Sequence, residues 1–272
     1  MLDDRIGFIG AGKMGSAIIK GILGAGLVER NQLAASDPVE ALGKALVEET
    51  GVRFMQDNAG LVEASDIVIL AVKPQVMDGM LRDLAGAPLG DRLWVSIAAG
   101  VPLDRIEGLL PEGTRAVRVM PNTPCLVGQA ASAYAGGRCA GPEDLDKVGE
   151  IFSSVGLAVS VDEHHLDAVT ALSGSGPAYV FLFIESLTAG GVQMGLSRDV
   201  ALKLALQTVY GSAVMAREAK EHLAELRDAV TSPAGTTAAG LFALEQGAFR
   251  ATVMEAVVQA KERSEALGRG ED

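Results

Sequence analysis

The stretch Arg5-Ile6-Gly7-Phe8-Ile9-Gly10-Ala11-Gly12-Lys13-Met14-Gly15 decides the fold. Residues 5–10 are a short apolar run closed by glycine, the pattern of a buried strand. Gly10, Gly12 and Gly15 keep the G-x-G-x-x-G spacing, and helical apolar spacing follows from about Lys13 to Leu23. Such glycines occur in many folds; at a strand-to-helix turn they acquire a physical meaning. Gly10 permits the tight turn, Gly12 lets a pyrophosphate approach the backbone, and Gly15 lets helix and strand pack closely. The free N–H groups and positive dipole end of the helix then suit phosphate. Gly10, Ala11, Gly12, Lys13, Met14 and Gly15 are therefore candidate dinucleotide-binding residues. The spacing G-x-x-x-x-G-K-[ST] is absent, so Lys13 does not belong to a mononucleotide phosphate loop.

Outward from this turn, strand signals recur at residues 33–36, 66–72, 93–99 and 115–119. Helical spacing separates them at 39–49, 75–84 and 103–110. Strands alternating with helices indicate an α/β fold, a doubly wound parallel sheet of Rossmann type covered on both faces. The pattern changes after about Val161. From Glu163 onward there are only helical runs, at 165–172, 177–194, 198–219, 237–246 and 248–267. Gly195 reads as a helix stop and Ser197 as the next N-cap. Residues 178–192 are apolar around nearly the whole circumference, as in a fully buried helix. The expected division is a dinucleotide-binding domain over 1–162 and an all-α domain over 163–272, without a low-complexity linker or repeat.

The chain has 272 residues, 49% of them hydrophobic and only 4% aromatic, with 33 glycines, so close helix and strand packing is expected. A net charge of −12 argues against nucleic acid, and no polybasic run suits a membrane surface. Cys125 and Cys139 form neither a disulfide framework nor a metal-ligand spacing, which fits a reducing compartment. Cys125 follows a Pro-Asn-Thr-Pro turn; without an activating histidine nearby in sequence it reads as a filler residue. The acidic start Met1-Leu2-Asp3-Asp4 is no signal peptide, and the most apolar stretch, Val180 to Ile184, ends at Glu185, too short to span a bilayer. A cytoplasmic protein is expected.

Asp37 follows the second strand about 20 residues after the glycines, where a carboxylate can accept from the adenosine ribose hydroxyls. It would repel a 2′-phosphate, and no arginine follows closely, so NADH is favoured while NADPH stays open. Asp37-Pro38 can equally be a helix-starting cap. The segment Thr231-Ser232-Pro233-Ala234-Gly235-Thr236-Thr237 brings three threonines, a serine and a glycine to a helix start. An anion site and an ordinary cap both fit this cluster. Ser173-Gly174-Ser175-Gly176-Pro177-Ala178-Tyr179 opens the apolar helix, and its glycines suggest a close approach to the backbone.

Taken in order, Gly7 to Gly15, Ala71-Val72-Lys73-Pro74-Gln75, Val119-Met120-Pro121-Asn122-Thr123-Pro124, Ser173 to Tyr179 and Thr231 to Thr237 resemble the pyrroline-5-carboxylate reductase family over essentially the whole chain. The resemblance implies reduction of a cyclic imine acid to proline with NADPH or NADH. It also implies a helical domain that binds substrate and intertwines with a second subunit, as a homodimer or a ring of dimers. Val72, Lys73, Pro74, Ala98 and Ala99 would line the nicotinamide side, Asn58 would meet the adenosine ribose, and Ala71 and Asn122 join the cofactor positions. Ser232, Gly235 and Thr236 would hold the substrate carboxylate, Thr237 would bond the ring nitrogen, and Glu163 lies near the same pocket. Ala234 stands where the family usually has glycine, and Asp37-Pro38 where NADPH-preferring members often have Asn-Arg or Ser.

The histidines are His164, His165 and His222; the adjacent pair reads as exposed caps at a helix start. A ketone reductase needs a proton donor for the developing alkoxide, whereas a protonated imine already carries its proton. A 3-hydroxyacid dehydrogenase would need a lysine on the helix after the glycine-rich segment, and 173–195 contains none. A non-catalytic dinucleotide sensor would not need the 231–237 loop.

Overall fold

The computed structural model describes residues 2–84 and 89–271. Its elements are, in chain order, β1 (Ile6–Ile9), α1 (Lys13–Gly24), β2 (Leu33–Ser36), α2 (Glu40–Thr50), β3 (Arg53–Phe54), α3 (Asn58–Glu63), β4 (Ile67–Leu70) and α4 (Pro74–Asp83). Next come β5 (Leu93–Ser96), α5 (Leu103–Glu107), β6 (Arg115–Met120), β7 (Ala130–Gly136), α6 (Pro142–Ser153) and β8 (Gly156–Ser160). Helices follow: α7 (Leu166–Val169), α8 (Gly176–Gln193), α9 (Arg198–Glu218), α10 (Leu223–Ala229), α11 (Thr236–Gln246) and α12 (Phe249–Gly268). Two compact units result, one running to Ser175 and resuming at Gln259, the other Gly176–Val258.

The first unit is built on an eight-stranded sheet of order β3-β2-β1-β4-β5-β6-β7-β8. All neighbours pair parallel except β6 with β7. The order 3-2-1-4-5-6 is that of a doubly wound dinucleotide fold, as expected, and reverses direction at β1, between β2 and β4. The apolar strands are explained by two cores. Ile67 and Ile69 face one layer with Ile18, Ile19 and Ile22 of α1; Val68 and Leu70 face the other with Met77 and Leu81 of α4. Burying a side chain of this size stabilises by about 1.5–3 kcal/mol, so β4, buried at all four positions, anchors both layers.

Sequence reasoning left β3, β7, β8, α3 and α6 unread. β3 has two residues, and β7 is small-residue-rich, Ala-Ala-Ser-Ala-Tyr-Ala-Gly, with weak strand propensity. In β8, Leu157 and Val159 remain exposed, so no buried run marks it.

In the second unit Gly195 takes φ +95° and the Ser197 hydroxyl accepts from the Val200 N–H, as the stop and cap signals required. Helix α8 is apolar all round, and a lone helical domain could hardly cover it. Of its residues only Thr188 is buried, and Val180, Phe181, Leu182 and Phe183 are exposed. The apolar circumference is real, but this chain alone does not cover it. The membrane argument changes too. The helical run Glu163–Gln193 is, by length and composition, long and apolar enough to cross a bilayer, whereas sequence reasoning weighed only five residues of it.

Candidate functional site

Every proposed cofactor residue of the first unit stands at or just beyond the carboxyl end of a parallel strand. Gly10 to Gly15 follow β1, Asp37 follows β2, Ala71 to Pro74 follow β4, Ala98 and Ala99 follow β5, and Asn122 follows β6. Asn58, the first residue of α3, joins this edge through its side chain, whose Oδ1 accepts from the Ser36 hydroxyl at 2.7 Å. Parallel pairing in register gathers these dispersed residues on one edge.

The glycine turn has the expected stereochemistry. Gly10 takes φ +110°, and a Cβ there would lie 2.5 Å from the Ala71 carbonyl oxygen. At Gly15 a Cβ would meet the Gly10 carbonyl oxygen at 2.5 Å, whereas at Gly12 it would meet nothing within 4 Å. The space above Gly12 is thus open, as close approach of a phosphate demands. Gly12 caps α1 without any side-chain capping bond, so the first-turn N–H groups keep their donor capacity. A groove of about 440 Å³ runs beside the turn, lined by Gly12, Lys13, Ser16, Leu46 and Cys125 among others. Burial pushes the Cys125 thiol up to about 11, which makes it a poor nucleophile, in keeping with a filler role.

The Asp37 carboxylate accepts from two backbone N–H groups. Oδ1 accepts from the Val39 N–H at 2.8 Å, one residue before α2, and Oδ2 accepts from the Ala11 N–H at 2.9 Å. The carboxylate therefore closes the turn before α2 and ties the end of β2 to the glycine turn. Lys73 caps α4 and is exposed, with Pro74 as the first helical residue. Ala98 is buried and Ala99 exposed. Asn122 is buried, and its amide is engaged at both ends: Nδ2 donates to the Ser173 carbonyl and Oδ1 accepts from the Ala131 N–H, both at 2.9 Å.

Glu163 is held from two sides. Its Oε1 accepts from the Leu103 N–H at 2.7 Å and from Arg118 Nη1 at 3.3 Å. Arg118, on β6, is 5% exposed and also lies 3.9 Å from Asp167, which accepts from the Ser264 hydroxyl at 2.7 Å. Sequence reasoning missed Arg118; its signal was a cation inside the apolar run 115–120. At Gly174 it is the Met120 methyl that approaches the backbone, 2.6 Å from where a Cβ would stand.

In the second unit, α11 starts without a hydroxyl cap. Gly235 is the N-cap with no side-chain capping bond, and Thr236 and Thr237 open the first turn. A Cβ on Gly235 would sit 2.2 Å from the Ser232 hydroxyl, so the serine is folded against that glycine. Ala234 is held at φ +56°, the left-handed region where glycine is at ease. The hydroxyl cap weighed from sequence for this helix start does not form. The one capping histidine is His222, whose Nδ1 accepts from the Ala224 N–H at 3.2 Å. His164 and His165 are exposed, but neither makes the capping bond expected of it.

Comparison with known proteins agrees with this arrangement. Residues 163–267 match the family model described as pyrroline-5-carboxylate reductase dimerisation, and residues 5–100 match one described as NADP oxidoreductase, coenzyme F420-dependent. A pyrroline-5-carboxylate reductase of Methanosarcina acetivorans is 52% identical over 269 residues, covering 99% of this chain and all of that one. Its counterpart from Arabidopsis thaliana is 43% identical over 97% of this chain and 96% of its own length. Among solved structures, the Plasmodium falciparum pyrroline carboxylate reductase with NADP bound superposes with a TM-score of 0.88 at 38% identity, covering 98% of this chain and 99% of that one. The Coxiella burnetii pyrroline-5-carboxylate reductase gives 0.91 at 34% identity with the same coverage. At such identity over its full length, the chain belongs to the pyrroline-5-carboxylate reductase family.

Proposed function

We propose that this protein reduces 1-pyrroline-5-carboxylate to L-proline, the last step of proline biosynthesis, using NADPH or NADH. The observation that carries the reading is the open, uncapped glycine turn at a carboxyl sheet edge, in a chain similar end to end to named reductases. The dinucleotide supplies the hydride. Residues 1–162 provide its cradle: the Gly10–Gly15 turn, with the N–H groups of Gly12 to Gly15 for the pyrophosphate, Asp37 and Asn58 for the adenosine ribose, and Ala71 to Pro74, Ala98, Ala99 and the Asn122 backbone along the nicotinamide side.

Residues 163–272 bind substrate. Ser232, Gly235 and Thr236 hold the carboxylate, using the uncapped N–H groups that begin α11, and Thr237 accepts from the ring N–H, orienting it. Glu163, whose carboxylate faces Arg118 at 3.3 Å, is the further residue assigned to substrate binding. The iminium carbon accepts the hydride, the C=N π pair returns to nitrogen, and no proton donor is needed at that step. Orientation is then the main catalytic demand, consistent with His222 serving as a cap.

The exposed apolar surface of α8, α9 and α12, including Phe181, Tyr210 and Met254, is covered by a second copy in a homodimer, alone or in a ring of dimers. A dimer seam also accounts for the apolar run 163–193 in a cytoplasmic, water-soluble protein. Mixing protein, NADH or NADPH and the imine should give loss of nicotinamide absorbance with stoichiometric proline. No imine-dependent oxidation with either cofactor would rule the reaction out.

A further inference from the structure

Asp162, His164 and His165 form a cluster that the reductase reading does not use. Their ligating atoms all lie within 4.8 Å of one another, and all three side chains are exposed. The imidazole rings are 3.8 Å apart, tilted by 42°. Asp162 occupies the N-cap of the short turn Glu163–His165, and His165 that of α7, yet neither side chain makes a capping bond. Three polar groups at a chain reversal are thus convergent and left without the local task that usually explains them.

We propose that Asp162, His164 and His165 bind one divalent ion of the zinc, nickel and copper group. Two imidazoles and one carboxylate are a donor set for such ions, whereas magnesium and calcium prefer all-oxygen shells. Zinc with bonds of about 2.0–2.1 Å places its donors about 3.4 Å apart. Exposed side chains reach that spacing by rotation alone, without moving the core. A cavity of about 580 Å³ beside the cluster, lined by Gly136, Gly137, Ser160, Asp162, Glu163 and His165, has room for water or a small anion as the fourth ligand. The chain's net charge of −12 raises the local concentration of cations.

The test is calorimetry of the tag-free, chelator-treated full chain with Zn²⁺ and, separately, Ni²⁺. One ion per chain is expected. His164→Ala and His165→Ala should each weaken it at least about tenfold, the scale on which even outer-shell metal partners act. Asp162→Asn should weaken it less, and all variants should keep wild-type circular dichroism and NADH binding. No saturable binding, or equal affinity in the His164→Ala/His165→Ala double variant, overturns the proposal. So does binding abolished by alkylating Cys139, the exposed thiol.

Discussion

Arg118, closed off from solvent on β6, donates through Nη1 to Glu163 Oε1 at 3.3 Å, and the same oxygen accepts the Leu103 N–H at 2.7 Å. One carboxylate oxygen thus joins the β6 strand, the start of α5 and the turn that opens the helical segment. Glu163→Gln keeps an acceptor for Leu103 but loses the charge facing Arg118; Glu163→Ala loses both. Stripping a partner from a fully buried ion pair costs about 3–5 kcal/mol. Glu163 is 32% exposed and Asp167 remains 3.9 Å from Arg118, so a smaller loss is expected. Urea unfolding at fixed protein concentration should show about 2 kcal/mol for alanine and about half that for glutamine. An alanine variant as stable as wild type would show that the contact contributes nothing.

Cys125 should be chemically silent in the native protein. At pH 8 a thiol reagent should titrate one group per chain, the exposed Cys139, and both groups after unfolding. The Cys125 thiol rises from 9.0 to about 11 on folding, so the folded chain keeps a proton that the unfolded chain releases first. Its neutral form therefore favours the fold fully below pH 9, and that contribution is lost as pH rises towards 11. Cys125→Ala should flatten this part of the stability–pH curve. Two fast-reacting thiols in the native chain would contradict the assignment.

The sheet was legible where burial writes itself into sequence. Residues 6–9 and 67–70 are unbroken apolar runs because helices cover both faces of the sheet. At the far edge β7 and β8 were illegible, since alanine-rich or half-exposed strands lose that signature. The glycine turn could be read because glycine at a turn has a stereochemical cause, seen at Gly10 as φ +110°. Arg118 showed only as a cation inside an apolar run, because its partners, Glu163 and Asp167, lie more than forty residues away in sequence. The apolar circumference of α8 was legible too, and a lone helical domain could hardly cover it, which is how the helix stands in the single chain.

That uncovered surface gives a third expectation. Phe181 and Leu182 are 62% and 64% exposed on α8. Phe181→Glu and Leu182→Glu place charge in the proposed seam while touching little else in their own chain. Sedimentation should shift from dimer or larger towards monomer, with helical circular dichroism retained. An active wild-type monomer at micromolar concentration would refute the dimer reading.

The loop before α11 separates strain from binding. Ala234 at φ +56° pays the steric cost of a left-handed backbone, so Ala234→Gly should stabilise by about 1 kcal/mol. Thr237→Ala should lower kcat/KM for the imine about ten- to a hundredfold, the loss of one charge-assisted hydrogen bond, with NADH affinity unchanged. Thr236→Ala should do less, because its backbone donor survives. If Thr237→Ala keeps wild-type kcat/KM, the loop is structural and the substrate site must be sought first around Ser173–Tyr179.

Asp37 carries the cofactor prediction. With Oδ2 on the Ala11 N–H and Oδ1 on the Val39 N–H, the carboxylate is fixed beside the glycine turn rather than free to swing away. Each oxygen keeps a second lone pair for a ribose hydroxyl. A 2′-phosphate in the same place would bring a charge of about −1.5 to −2 against it. Two unit charges of like sign about 4 Å apart at an effective dielectric of 20 repel by about 4 kcal/mol, a scale that solvent lowers at this half-buried site. A penalty of even about 1.4 kcal/mol is a tenfold handicap for NADPH. NADH should therefore be used at least comparably with NADPH. Asp37→Ser removes the charge and should move the kcat/KM ratio towards NADPH. It also deprives the Ala11 N–H of its acceptor, so both cofactors should bind less well, and the ratio, not either affinity, isolates the charge effect. The measurement is kcat/KM for both cofactors in wild type and variant. A preference for NADPH above a hundredfold in the wild type, or an unchanged ratio in Asp37→Ser, removes Asp37 from cofactor selection.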